Sequence, residues 1–186
     1  MQTTNGKHHP LLVLPSTHDH IQGVLNSTVV LVMYGDYQDP RSADVYRLIK
    51  AIQHHVVSLG EDFLCFVFRH FPQRQIHPQA QRAAEAVEAA TFQGQFWQMH
   101  DRLFIHQRTL GDGYLIEYAN DLGLDTCQFL QDLCQHAHLD RIHQDIESGI
   151  QSGVTNTPTS FINGIRYCDR WTIERLMAAI VTPNIH

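Results

Sequence analysis

Thr28-Val29-Val30-Leu31-Val32-Met33-Tyr34 is an unbroken β-branched and apolar run, and Gly35-Asp36-Tyr37-Gln38-Asp39-Pro40 follows it directly. Such a run reads as a strand buried on both faces. Gly35 to Gln38 form the turn out of it. Asp39-Pro40 then opens a helix, because aspartate suits the N-cap and proline the first helical position. Val45, Leu48, Ile49, Ile52 and Val56 recur at three- and four-residue spacing to about Leu59, where Gly60 supplies the stop. Phe63 to Phe68 is a second buried strand. Strand, helix and strand within about 42 residues make a βαβ unit with parallel strands and a right-handed crossover. The loop from Tyr34 to Ser42 therefore lies at the carboxyl edge of a sheet and beside a helix N-terminus, where ligands and chemistry gather.

Upstream, residues 1–26 show no sustained period and read as an extension with loose contacts. Downstream, residues 76–148 read as helix throughout. An alanine-rich segment (79–93) is followed by an aromatic one (96–104), then by 114–122, 126–138 and a stretch near 141–148. The aromatic residues of this block are expected in the core. The chain then returns to β. Thr159-Ser160-Phe161-Ile162 is a short strand, Asn163-Gly164 a two-residue hairpin turn, and Ile165-Arg166-Tyr167 the return. A final amphipathic helix runs from about Trp171 to Val181. The expected architecture is α/β: one domain built from 27–75 and 149–186 (βαβ…ββα), interrupted by a helical domain at 76–148.

The chain has 186 residues, with 13 Lys and Arg against 19 Asp and Glu, a formal charge of −6. One domain with an insertion accounts for that length, and its core needs no disulfides. The acidic balance argues against nucleic-acid binding, which needs a basic face. Apolar runs end at about six residues, far short of a membrane span. Without a secretory pattern at the N-terminus, a cytoplasmic location is expected. The four cysteines (Cys65, Cys127, Cys134, Cys168) show no C-x-x-C spacing. Cys65 is expected as a buried, inert thiol and Cys168 as the one thiol near the surface. The fourteen histidines suggest either a pH response or scattered surface positions. His136, His138 and His143 form the tightest group and His54-His55 are adjacent, so no metal site is expected.

In order and spacing, several segments resemble the DsbA-like branch of the thioredoxin superfamily. They are Asp19-His20-Ile21-Gln22-Gly23, Tyr34-Gly35-Asp36-Tyr37-Gln38, Arg69-His70-Phe71-Pro72, Gln93-Gly94-Gln95-Phe96-Trp97-Gln98-Met99-His100-Asp101, and Ser152 to Gly164. The resemblance implies the same layout, a thioredoxin fold with a helical domain inserted between its halves. It also implies thiol–disulfide oxidoreductase activity from a C-x-x-C immediately after Tyr37-Gln38, and a cis-proline loop at Thr157-Pro158 that pairs with an extended substrate segment. Here the motif positions hold Asp39, Pro40, Arg41 and Ser42. Exchange requires a thiolate that attacks and a second thiol that resolves. Asp39 is a poor sulfur nucleophile, and Ser42 keeps its proton without an adjacent base.

Three functions follow as expectations. The first is a redox-inactive DsbA-like protein binding an extended peptide, a protein segment or a thiol ligand through Tyr37, Arg41, Ser42, Thr157 and Pro158, with Arg41 pairing to Asp39. The second is a glutathione-dependent transferase or isomerase using Ser42, which would make glutathione the one cofactor. The third is a structural or dimerisation module. Cys168, in Tyr167-Cys168-Asp169, is the candidate for a lone reactive thiol.

Overall fold

The computed structural model describes residues 10–60 and 62–181. Five strands form one sheet in the order β1-β3-β2-β4-β5, with β1 at His20–Gln22, β2 at Val29–Gly35, β3 at Leu64–His70, β4 at Thr159–Ile162 and β5 at Ile165–Arg166. β2 and β3 run parallel, and β2 pairs antiparallel with β4 on its other side. Between β2 and β3 runs α1 (Pro40–Val56), continued by a 3-10 turn at Val57–Leu59. Five helices follow β3: α2 (Ala80–Thr91), α3 (Phe96–Ile105), α4 (Asp112–Asp121), α5 (Thr126–Gln135) and α6 (Leu139–Gln151). The last helix, α7 (Ile173–Val181), packs against α1. The βαβ unit, the helical stretch and the closing ββα thus stand where the residue pattern puts them.

Strand alternation divides the core into two layers. Val29, Leu31 and Met33 of β2 and Leu64, Phe66 and Phe68 of β3 face α1 and much of the helical block. Val32, Tyr34, Cys65 and Val67 face the opposite side, joined by Leu11, Phe71, Val154 and Phe161. Both faces are covered, which is why the two strands read as continuous apolar runs. The Asn163-Gly164 turn has φ of 48° and 79°, the left-handed pair that a two-residue hairpin needs.

The N-terminal segment departs from the expected loose extension. His20, Ile21 and Gln22 pair antiparallel with Phe68, Val67 and Phe66. Gly23 ends the strand at φ +95°, where an added Cβ would stand 2.7 Å from the Leu64 carbonyl oxygen. Further upstream, the Leu11 N–H donates to Gly164 O (2.8 Å) and Pro10 bridges Ile165. The expected extension at residues 1–9 lies outside the described residues.

Arg69 of β3 holds this segment in place. Its Nε and Nη2 donate to the two Asp19 carboxylate oxygens (2.7 and 3.1 Å). Nη1 reaches Val13 O and the Tyr34 hydroxyl (2.8 Å each), and Nη2 reaches Leu14 O at 3.3 Å. Tyr34 in turn meets Ser148 Oγ of α6 at 2.9 Å. Burial pushes the Asp19 carboxyl up, but the Arg69 hydrogen bonds and charge outweigh it and hold the carboxyl below its usual range.

The cysteines also differ in part from expectation. Cys65 is buried, and burial together with the Asp19 charge pushes its thiol up to about 11. Cys168 is exposed, but so are Cys127 and Cys134, because α5 buries only Phe129 and Leu133 against its neighbours and turns both thiols outward.

Removing the cation from this buried network should be costly, since it leaves Asp19 and two carbonyls without their donor. Arg69→Ala should lower the unfolding free energy in urea by about 3–5 kcal/mol, and a loss under about 1 kcal/mol would contradict the clamp. Asp19 sits below its unfolded value, so the wild-type contribution is complete above about pH 4 and fades as pH falls through the lowered value.

Candidate functional site

The site forms where the loop after β2, the N-terminus of α1, the loop after β3 and the turn before β4 converge. Asp39 is buried and caps α1, accepting from the Arg41 backbone N–H at 3.1 Å. The same carboxylate accepts from Arg41 Nε (3.3 Å), the Ser42 hydroxyl (3.2 Å) and the Thr157 hydroxyl (2.9 Å). A fixed anion at a helix N-terminus is favoured by the unpaired N–H groups and the helix dipole. The carboxylate therefore fills, permanently, a position whose field would activate a thiolate.

Ser42 is wholly buried. Its oxygen accepts from the Asp36 N–H (3.3 Å) while its proton goes to Asp39. A carboxylate base thus does stand beside Ser42, three residues back on the chain, but no face of the hydroxyl is open to a substrate. Arg41 reaches out of this knot, its side chain 64% exposed and, among the described residues, tied to Asp39 alone. Pro40 is exposed beside it, and Pro158 is half-buried across from it. The Thr157–Pro158 peptide bond is cis.

Residues the sequence did not single out complete the site. Asp36 is buried, and its carboxylate binds the Gln38 N–H (2.7 Å), the Gln73 N–H (2.9 Å) and His77 Nδ1 (2.8 Å), joining the loops after β2 and β3. Gln73 returns its side-chain oxygen to the Thr157 N–H at 3.3 Å. Gln107 donates to the carbonyls of Tyr37 (2.8 Å) and Asp39 (2.9 Å), fixing the loop from the helical block. Gln73, His77 and Gln107 lie 37 to 84 positions along the chain from the residues they hold, and no local pattern announces them. Next to α1 opens a depression of about 730 Å³, lined in part by Gln38, Pro40, Arg47, Ile105, Gln107 and Arg108. Ile105 is 74% exposed there.

Of the expected binding residues only Arg41 is exposed, and Tyr37, like Ser42 and Thr157, is buried. It turns into the core, packs on Phe68 and Phe104, and meets His100 Nδ1 at 2.7 Å. Burial first, then the Glu88 charge, pushes its hydroxyl well above its ordinary value. Only its carbonyl takes part in the loop. Cys168 lies beyond β5, its sulfur 3.8 Å from Arg166 O, and among the described residues it shares no hydrogen bond with the Asp39 knot.

The structure also assembles a group that the sequence reading did not foresee. His20 of β1, His70 of β3 and Glu88 of α2 meet with their ligand atoms within 4.8 Å of one another. Burial raises the Glu88 carboxyl, but hydrogen bonds from His20 and His70 outweigh it and bring it well below its usual range. The signal available in sequence was weak: two acids, Glu85 and Glu88, on a helix otherwise rich in buried alanine.

The Asp39 knot makes a quantitative demand. Asp39→Ala removes the cap and strands two buried hydroxyls, so it should cost about 2 kcal/mol in urea unfolding. Asp39→Asn, which caps nearly as well, should cost less. Equal losses for the two, or none for alanine, would contradict the cap.

A family model described as Thioredoxin matches residues 16–181. Among solved structures, BdbD from Bacillus subtilis superposes with a TM-score of 0.79 at 19% identity, covering 92% of this chain and 96% of its own. A thioredoxin-like oxidoreductase from Silicibacter pomeroyi gives 0.75 at 20% identity, covering 89% and 92%. The α-DsbA1 of Wolbachia pipientis gives 0.76 at 18%, covering 91% and 92%. At those identities the likeness is one of fold. A protein from Salinispora tropica named Na(+)/H(+) antiporter NhaA 3 is 37% identical over 164 residues, which are 88% of this chain and 24% of that protein. The chain thus spans about a quarter of the length of such relatives. No helix among the described residues is long and apolar enough to cross a membrane. The chain belongs to the thioredoxin family and has the fold of its DsbA-like members.

Proposed function

We propose that this protein is a DsbA-like thioredoxin domain that performs no thiol–disulfide exchange at the N-terminus of α1 and instead binds an extended peptide there. One observation carries this reading: the two motif positions, Asp39 and Ser42, hold no sulfur and are consumed by each other and by Thr157, while the rim around them stays open. Arg41, Pro40 and Ile105 offer a cation and apolar surface along that rim. Thr155 and Asn156 are exposed just before Thr157, as an added strand would require.

Gln73 is a built-in competitor in this reading. Its side-chain oxygen occupies the Thr157 N–H at a long 3.3 Å, and an incoming peptide carbonyl would replace it. A glutathione-dependent enzyme using Ser42 draws no support from the geometry, because that hydroxyl is enclosed and both its hydrogen-bonding roles are taken. Four unpaired cysteines, three of them exposed, favour a reducing compartment, in keeping with the cytoplasmic expectation.

An array of unstructured decapeptides probed with the purified chain tests the reading. A subset should bind saturably. Arg41→Glu should weaken those binders by about tenfold (~1.4 kcal/mol) with little change in melting temperature, since Arg41 is exposed. Gln73→Ala, which frees the Thr157 N–H, should tighten them. Absence of binders, or binders indifferent to both changes, would overturn peptide binding at this rim.

A further inference from the structure

His20, His70 and Glu88 belong to three elements that are distant in sequence. Nε2 of His20 lies 2.6 Å, and Nε2 of His70 2.7 Å, from one and the same oxygen, Glu88 Oε1. The three side chains keep 10%, 1% and 3% of their exposure. The rings are held in place: His20 stacks on Phe96 at 3.5 Å and 8°, and His70 stands edge-on to Phe68 at 5.4 Å and 86°. The His70 backbone N–H is fixed by Asp145 at 2.9 Å. Among the described residues, His70 Nδ1 has no partner, so the ring's one polar engagement is at Nε2, facing the cluster.

A carboxylate oxygen can accept from two N–H groups at once, so the hydrogen-bonded trio is complete as it stands. Two imidazole Nε2 atoms from two strands and a carboxylate from a helix, all largely buried and within 4.8 Å of one another, are also the convergence of donors that a metal ion requires. We propose that His20 Nε2, His70 Nε2 and a Glu88 carboxylate oxygen form a site for one divalent transition-metal cation, zinc being the best match to the donor set. Imidazole and carboxylate suit zinc, and three protein donors leave a fourth position for water. Each imidazole keeps one proton, moved from Nε2 to Nδ1, so that Nε2 offers its lone pair to the cation. Zinc–ligand distances of about 2.0–2.2 Å in a tetrahedral arrangement put neighbouring donors about 3.3 Å apart. The Glu88 oxygen, 2.6 and 2.7 Å from the two nitrogens, must therefore draw back by roughly 0.6 Å. The three donors, which lie within 4.8 Å of one another, must settle around the cation by side-chain adjustment. Because His20 sits on the outermost strand and is the most exposed of the three, the cation enters from its side and ties β1 to β3 and α2.

The test titrates the full chain, freed of metal with a chelator, with cobalt(II) and then zinc(II). One equivalent of cobalt should produce the visible absorption of a four-coordinate site, and one equivalent of zinc should abolish it. Glu88→Gln and His20→Ala should each weaken cobalt binding by about a hundredfold or more, while circular dichroism confirms that they are folded. His20 is near the surface, so its variant decides the matter if Glu88→Gln does not fold. No saturable band in the wild type, or a band kept by the folded variants, would overturn the site.

Discussion

A buried carboxylate at the start of α1 holds the centre of this structure together. The Asp39 carboxylate receives one backbone and three side-chain donors, and those donors come from α1 itself and from the loop before β4. Moving Asp39 would release the α1 cap, the Ser42 hydroxyl and Thr157 together. The helix N-terminus explains why an anion is tolerated there at 2% exposure: unpaired N–H groups and the dipole replace the water it has lost. The same arrangement has a chemical consequence. A carboxylate cannot be the nucleophile of disulfide exchange, and the serine that follows it is locked in its service.

Around this knot the fold divides its labour between two sides of the sheet. α1, α7 and much of the helical block cover one face, and Gln107 reaches from that block to fix the Tyr37–Asp39 loop. The N-terminal segment and α6 cover the other, where Arg69 gathers Asp19, two carbonyls and Tyr34 into one buried network. The trio of His20, Glu88 and His70 spans the β1 edge and α2, so that the N-terminal strand is tied on both faces of the sheet.

What could be read from the sequence follows from how local each signal is. Residues 28–70 announce themselves, because a strand buried on both faces, an Asp-Pro helix start and a second apolar run need no distant partner to be recognised. Asn163-Gly164 is equally local. β1 was missed because its three residues, His20 to Gln22, include one apolar side chain, and its order comes from β3, Gly23 and the Asp19–Arg69 pair. The place of Tyr37 beside the motif suggests a binding residue, whereas its ring finds His100, Phe68 and Phe104 in the core. Gln73, Gln107 and the histidine–glutamate cluster depend on contacts between separate elements, which spacing along the chain does not encode.

With Asp39 and Ser42 at the motif positions, we propose that the α1 N-terminus carries out no sulfur chemistry. An insulin-reduction assay with the wild-type chain, run beside an Asp39→Cys/Ser42→Cys variant as the positive arm, tests it most directly. The wild type should show no turnover above background, and the variant measurable turnover once both sulfurs are in place. Turnover by the wild type, abolished by Cys168→Ser or by loss of another exposed thiol, would contradict it.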